Sequence, residues 1–124
     1  MRLLLDTHVV LWWAMDDDRL TNDVKARIDT EPGVFVSAAS LWEISLKQQT
    51  GKLPGPSDLP ERILSGGLTA LVITPAHGIA AGRLPRIHRD PFDRMLVAQA
   101  MTEDLTLATR DRRVLQYDVP LLRV

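Results

Sequence analysis

Four acidic residues of this 124-residue chain follow an apolar run or stand near the start of a helical pattern: Asp6, Glu43, Asp93 and Asp111. Because ligands of open parallel sheets bind outside the carboxyl ends of the strands, we expect all four at one edge. Carboxylates that converge in a cleft of low dielectric repel one another strongly. A divalent cation removes that repulsion, and Mg²⁺ prefers carboxylate and water oxygens. The pattern therefore indicates an all-oxygen metal site.

Each acid also has a structural explanation, because helix starts favour side chains that accept hydrogen bonds from free backbone N–H groups. Residues 40–43 and 90–93 each fit a capping box, with Ser40 and Asp90 as the N-caps. Asp6 and Asp111 can cap the segments that follow them. Capping explains each acid singly, but it does not explain why four acids would meet at one end of one sheet.

The segments that must position these acids alternate between short apolar runs and helical patterns. Strands are predicted at residues 2–5, 34–36, 70–73, 105–108 and 121–122. Helices are predicted at residues 7–15, 21–30, 41–49, 59–64, 75–83 and 91–103, with a helical turn at 111–115. Strands without polar alternation are typical of a parallel sheet covered on both faces. We predict one domain over residues 1–124, a three-layer α/β/α sandwich around a mostly parallel sheet.

The composition excludes several classes of protein. The chain has no cysteine, so it contains no disulfide, no cysteine-ligated zinc and no thiol nucleophile. Its hydrophobic fraction of 45% is too high for a disordered chain. The longest apolar stretch, residues 9–15, is far shorter than the ~20 residues that span a bilayer. We expect a soluble, cytoplasmic protein.

Four stretches, in order along the chain, resemble the motifs of the PIN domain: LLLDTH at 3–8, SAASLWEI at 37–44, HRDPFDRMLVAQA at 88–100 and LATRD at 107–111. The chain is most similar to the VapC-type toxins of bacterial toxin–antitoxin pairs, especially the subgroup that carries Asp-Pro-Phe-Asp-Arg, here residues 90–94. One such motif would be a weak signal. The ordered set of four is a specific one, and it covers almost the whole chain.

The resemblance implies a Mg²⁺-dependent endoribonuclease, with Mn²⁺ as an alternative ion. It assigns catalysis and metal binding to Asp6, Glu43, Asp93 and Asp111, with Asp6 and Asp93 as our first choices for direct ligands. Asp90 is an extra acid of the subgroup, which either joins the metal site or only caps its helix. The implied partners are RNA, a VapB-like antitoxin that inserts into the acidic cleft, and a second copy of the chain in a homodimer.

Basic residues flank the later acids. The net charge of −1 hides an uneven division, because residues 1–62 hold 7 basic and 10 acidic groups while residues 63–124 hold 8 and 6. Such runs are usually solvated charge paired with local acids, but here they border the expected metal site, where phosphate contact is equally reasonable. The expected substrate-binding residues are Arg89, Arg94, Arg110, Arg112, Thr7 and Thr109, the two threonines by resemblance alone. Arg83, Arg86 and His88 belong to the same basic cluster.

The aromatic and remaining histidine side chains are less specific signals. Trp12, Trp13 and Trp42 can stack on bases, but their helical spacing beside apolar neighbours favours packing in a core or interface. We expect a structural role for His8, although it adjoins the first acid and can support the metal site. We expect His77 to be a surface residue of its helix.

Two other functions fit parts of the pattern. An inactive PIN-like binding module would use the carboxylates as caps and act through protein or RNA contacts, but the complete set of four acids is evidence against it. A different Mg²⁺-dependent α/β enzyme, such as a phosphatase or a receiver domain, is the third candidate. A receiver would carry adjacent acids after its first strand and a lysine after its last, whereas Thr7 follows Asp6 here and arginines occupy the late region.

Overall fold

A computed structural model describes residues 1–124. Its centre is one five-stranded sheet in the order β3-β2-β1-β4-β5, with every neighbouring pair parallel. The strands are β1 (Arg2–Leu5), β2 (Gly33–Ser37), β3 (Thr69–Leu71), β4 (Thr106–Thr109) and β5 (Leu121–Arg123). The predicted parallel α/β sheet is therefore confirmed, and it is parallel throughout.

Six helices cover the two faces of this sheet. They are α1 (Thr7–Ala14), α2 (Asn22–Thr30), α3 (Ala38–Gln49), α4 (Leu59–Leu64), α5 (Pro75–Arg83) and α6 (Pro91–Glu103). A short 3-10 helix, Val114–Gln116, lies between β4 and β5. No helix is both long and apolar enough to cross a membrane.

Two hydrophobic cores lie on opposite faces of the central strand. Leu3 and Leu5 pack into a core that also contains buried residues of α1, α2, α3 and α4. Leu4 points the other way, into a core built from α6, the 3-10 helix and β4. All three leucines are essentially inaccessible to solvent, and each contributes about 1.5–3 kcal/mol of burial. This alternation in a fully buried strand explains why the sequence shows a continuous apolar run.

The chain order of the strands creates a switch point beside β1. The chain runs outward through β1, β2 and β3, and then returns to place β4 on the opposite side of β1. Crevices at such points, outside the carboxyl ends of the strands, are the usual ligand sites of open α/β sheets. The register pairs Leu5 with Ala108, so the next residues of the two strands, Asp6 and Thr109, become neighbours.

The structure corrects several expected element boundaries. Helix α3 begins at Ala38, with Ser37 rather than Ser40 as its N-cap, and Ser37 accepts from the backbone N–H of Ala39 at 3.0 Å. Glu43 therefore lies in the second turn, and the expected capping box at residues 40–43 is wrong. Strand β3 stops at Leu71 because its partner β2 ends at Ser37, the last residue in register with it.

Candidate active site

Asp6 anchors the site where β1 passes into α1. It is the N-cap of α1, and its Oδ1 accepts from the backbone N–H of Val9 at 3.0 Å. Its Oδ2 accepts a hydrogen bond from the hydroxyl of Thr109 at the end of β4. The backbone N–H of Asp111 in turn donates to the Thr109 hydroxyl oxygen at 3.1 Å. Asp6 and Asp111 are thus connected through one buried threonine across the switch point.

The start of α6 brings two more acids to the same region. Asp90 is the N-cap of α6, as the sequence predicts, and its Oδ1 accepts from the backbone N–H groups of Phe92 and Asp93 at 2.8 and 3.3 Å. Asp93 does not return a capping bond to Asp90, contrary to the expected capping box. Its Oδ2 instead meets Nε2 of His88 at 2.7 Å.

His88 is a member of this cluster that sequence reasoning placed only on the basic rim. Its Nε2 lies 2.7 Å from Asp93 Oδ2 and 3.8 Å from Asp111 Oδ2, so the ring connects the α6 acids to the loop after β4. The backbone N–H of Asp90 points at Nδ1 at 3.5 Å, which favours the tautomer with its proton on Nε2. With that proton, Nε2 donates to Asp93 and orients its carboxylate. The sequence did offer one signal for this contact, because His88 stands five residues before Asp93 within the third motif.

Glu43 lies in the second turn of α3 and makes no hydrogen bond with the other acids. Its side chain is only 5% exposed, Oε2 pairs with Lys47 Nζ at 2.8 Å, and Oε1 has no hydrogen-bond partner. One helical turn earlier, Ser40 Oγ accepts from the Thr7 hydroxyl at 2.9 Å, which connects α3 to the residue after Asp6. A buried carboxylate oxygen without a hydrogen-bond partner is energetically costly. Oε1 of Glu43 is therefore an atom that a bound cation or water would stabilise.

Burial and the charges of neighbouring acids raise the pKa values of two of the carboxyl groups. Burial raises the pKa of Asp6, and the charge of Asp111 raises it further against the hydrogen bond from Thr109. Burial also raises the pKa of Asp93 to about 7, with further increases from the charges of Asp90 and Asp6 and an opposing hydrogen bond from His88. Burial is the larger cause of both shifts, and the charges of Asp111 on Asp6 and of Asp90 and Asp6 on Asp93 place these four acids near one another.

The donor set of this region fits a hard divalent cation. His88, Asp90 and Asp93 present ligand atoms within 4.8 Å of one another. Asp6 and Asp111 add carboxylate oxygens, and Oε1 of Glu43 is a further one without a partner; Mg²⁺ and Mn²⁺ accept such ligands. Asp90 uses one oxygen, Oδ1, for its capping bonds, so the structure shows it as a helix cap with its second oxygen free of protein partners.

The expected substrate-binding residues differ in how far the fold occupies their polar groups. The guanidinium groups of Arg94 and Arg110 are occupied by backbone carbonyls, whereas those of Arg89 and Arg112 are exposed and form no hydrogen bond or ion pair with the protein. Thr7 and Thr109 are both buried and bond to Ser40 and Asp6. In the structure, the two threonines therefore support the acidic residues.

Arg94 holds the loop that carries His88. One of its nitrogens donates to Pro85 O at 2.9 Å and to His88 O at 3.4 Å, and the other donates to Ala81 O at 2.8 Å and Leu84 O at 3.1 Å. Five donors in a planar fork suit this set of acceptors, and a lysine ammonium does not.

We therefore expect Arg94→Lys to destabilise the protein by about 1–3 kcal/mol, because three part-buried carbonyls lose their donors. The measurement is the free energy of unfolding in urea. The control is Arg89→Lys, since Arg89 is exposed and unpaired and its replacement should leave the unfolding midpoint unchanged. Equal midpoints for both variants and the wild type would contradict this role of Arg94.

The expectation that His77 is a surface residue is wrong. It is fully buried, its Nδ1 accepts from the backbone N–H of Thr74 at 3.0 Å, and its Nε2 meets Glu103 Oε1 at 3.1 Å. The backbone N–H of His77 donates to the Thr74 hydroxyl at 3.2 Å, which completes a capping box at the start of α5. His77 therefore has a structural role, joining α5 to the end of α6.

Comparisons with known proteins agree with this architecture. The model of the PIN domain family matches residues 3–120. Ribonuclease VapC22 of Mycobacterium tuberculosis (strain ATCC 25618 / H37Rv) is 30% identical over 121 residues, which cover 95% of this chain and 93% of that protein.

Solved structures show the same fold at lower identity. VapBC2 from Rickettsia felis, bound to a DNA fragment from its promoter, has a TM-score of 0.74 at 14% identity and covers 98% of both chains. DNA-bound VapBC from Salmonella typhimurium has a TM-score of 0.69 at 16% identity, covering 98% of this chain and 97% of that one. With its four motifs, its parallel sheet and its acidic switch point, the chain belongs to the PIN domain family.

Proposed function

We propose that this chain is a Mg²⁺-dependent endoribonuclease and the toxin of a toxin–antitoxin pair. The observation that carries the proposal is the convergence of Asp6, Asp93 and Asp111 at the β1–β4 switch point, where Thr109 and His88 connect them. The 30% identity to a ribonuclease over nearly the whole chain supports the same reaction.

The residues of the site have distinct parts in phosphodiester hydrolysis. A bound Mg²⁺ would lower the pKa of a water and neutralise phosphate charge. Asp6 and Asp93 would hold the ion, with the Thr109 hydroxyl orienting Asp6 and the His88 imidazole orienting Asp93. Glu43 and Asp111 would complete the site through waters or a second ion, or orient the attacking water.

RNA phosphates would bind on the basic side of this site. A pocket of about 410 Å³ is lined by Arg86, His88, Arg89 and Arg94. Arg86 and Arg89 are exposed and have no hydrogen-bond or ion-pair partner in the protein. Since His88 also contacts Asp93, this pocket adjoins the carboxylates. Arginines with free guanidinium groups suit phosphate oxygens.

We expect the double variant Arg86→Ala and Arg89→Ala to weaken RNA binding. For single-stranded RNA, the dependence of log K on log[salt] should become shallower by about 1.4, which corresponds to two lost phosphate contacts at ~0.7 each. The measurement is a binding titration at several salt concentrations in EDTA. The control is Lys52→Ala, an exposed cation beyond the far end of α3. An unchanged salt slope in the double variant would exclude these arginines as phosphate contacts.

The proposed partners follow from the relatives. Similar folds occur in VapBC proteins, so we propose a VapB-like antitoxin for this chain and a cytoplasmic setting for the pair. We also propose a homodimer, as the family resemblance implies. Co-purification with the product of a small reading frame directly upstream, and sedimentation at twice the chain mass, are the expected results.

The decisive experiment is cleavage of a total RNA pool by the purified chain, with the cut sites sequenced. Defined cuts are expected with Mg²⁺ and none with EDTA. Cleavage that continues at the same rate in EDTA would contradict the metal mechanism, and no cleavage with either Mg²⁺ or Mn²⁺ would favour a binding module.

A further inference from the structure

A second pocket, which shares no lining residue with the pocket of the basic loop, adjoins the acids. It measures about 250 Å³, and its lining residues are Asp6, His8, Trp12, Arg110 and Asp111. Two of these are carboxylates of the proposed metal site. The other three come from α1 and from the residue after β4, and they place two aromatic rings and a guanidinium group beside the carboxylates.

The rings of His8 and Trp12 lie side by side on one face of the pocket, called here the His8–Trp12 wall. His8 and Trp12 lie one helical turn apart on α1, with ring centroids 5.9 Å apart and planes inclined by 37°. The Arg110 guanidinium lies 4.8 Å from the Trp12 ring centroid, and Arg110 is itself held by the backbone carbonyls of Val124 and Arg19. The Arg19 guanidinium lies 5.8 Å from the same centroid, so two cations pack on the Trp12 ring.

Both rings have polar groups that the fold does not use. The exposed imidazole of His8 forms no hydrogen bond with the protein, and the indole N–H of Trp12 has no protein acceptor. The adjacent Trp13 differs, because its indole N–H donates to Asp29 Oδ1 at 3.0 Å. Trp12 and Trp13 both pack against the core beneath α1, but only Trp12 keeps a free indole N–H, and core packing does not explain this free donor beside the carboxylates.

We propose that this pocket binds the nucleobase next to the scissile phosphate and contributes to the choice of cut site. With the phosphate at the shared carboxylates Asp6 and Asp111, the adjoining base reaches the His8–Trp12 wall. It stacks on the exposed His8 ring, and an acceptor on the edge of the base takes the hydrogen bond that the Trp12 indole N–H offers. The inference rests on the proposed ribonuclease function and names a specificity site within it.

The test compares cut sites of the wild type, of the double variant His8→Ala with Trp12→Phe, and of the control Trp13→Phe. We expect the double variant to lose base preference at one position beside the cut, with KM about tenfold higher and kcat within about twofold. Trp13→Phe removes the same indole N–H one residue away and should keep the wild-type pattern. An unchanged pattern in the double variant, while the wild type cleaves, would overturn the pocket and leave the ribonuclease function standing.

A measurement without catalysis separates the two proposals. The chain has three tryptophans, so its NMR spectrum has three indole N–H resonances, which the Phe variants assign. Titration with the four nucleoside 5′-monophosphates should shift the Trp12 resonance saturably, with one base preferred, and leave Trp13 in place. No shift at Trp12 would reject the pocket even if the chain cleaves no RNA. If the double variant keeps the wild-type cut sites but is no longer inhibited by an antitoxin, the pocket binds a protein partner. That result would also reject the proposed base-binding role.

Discussion

Asp6→Asn is expected to abolish Mg²⁺-dependent RNA cleavage while the protein stays folded. Outer-shell partners of metal sites are typically worth 10–100-fold in affinity or activity, so loss of a direct ligand charge should cost about a hundredfold or more. Asparagine is as good an N-cap as aspartate, so the bond from the Val9 N–H is retained. Because burial opposes the charge of Asp6, its removal does not destabilise the metal-free protein.

The measurement is the rate of RNA cleavage at saturating Mg²⁺, with circular dichroism and thermal unfolding as checks of folding. Asp118→Asn is the matched control, because it makes the same change of charge at an exposed position without hydrogen-bond or ion-pair partners. Full activity of Asp6→Asn would remove Asp6 from the metal site. An equal loss in Asp118→Asn would show that net charge, rather than metal binding, sets the rate.

The arrangement of the acids was predictable because it follows from strand ends. Apolar runs without alternation predict a parallel sheet, and parallel strands bring their carboxyl ends to one edge. Asp6 directly follows β1 and Asp111 lies two residues after β4, so their meeting depends only on β1 and β4 being neighbours. The position of Glu43 in the second turn of α3 was not predictable in the same way, since Ser37 and Ser40 are both suitable N-caps and only the end of β2 decides between them.

The roles of His88 and Arg94 depend on contacts between distant parts of the chain. The His88 backbone N–H donates to the Tyr117 hydroxyl at 3.0 Å, 29 residues away, and this contact helps to place the loop. Arg94 is held by carbonyls 6–13 residues before it, and Arg110 by that of Arg19. From the sequence alone these arginines resemble a phosphate-binding rim, because nothing local shows that carbonyls occupy their donors.

The last prediction concerns the cost of assembling the site. The pKa of Asp93 is raised from 3.8 to about 7, so between these values the folded protein binds more protons than the unfolded chain. Stability of the metal-free protein should therefore fall as pH rises from about 4 to about 7, and stay low above that. The rise of the Asp93 pKa from 3.8 to about 7 corresponds to at most about 4 kcal/mol, and solvent screening of this partly exposed carboxyl reduces it.

Asp93→Asn should remove most of this fall, so the variant is more stable than the wild type at pH 8 in EDTA yet inactive on RNA. The measurement is thermal unfolding at pH 5 and pH 8, in EDTA and in Mg²⁺, with Asp118→Asn as the control that keeps the wild-type slope. Because Mg²⁺ binds the ionised carboxylates, it should stabilise the wild type more at pH 8 than at pH 5, and Asp93→Asn only weakly at either pH. A wild-type pH slope that persists in Asp93→Asn would show that another group carries it. The expected combination, a gain of stability with a loss of cleavage in Asp93→Asn, would mean that one carboxylate both destabilises the metal-free fold and serves the reaction, as charges gathered to hold a cation should.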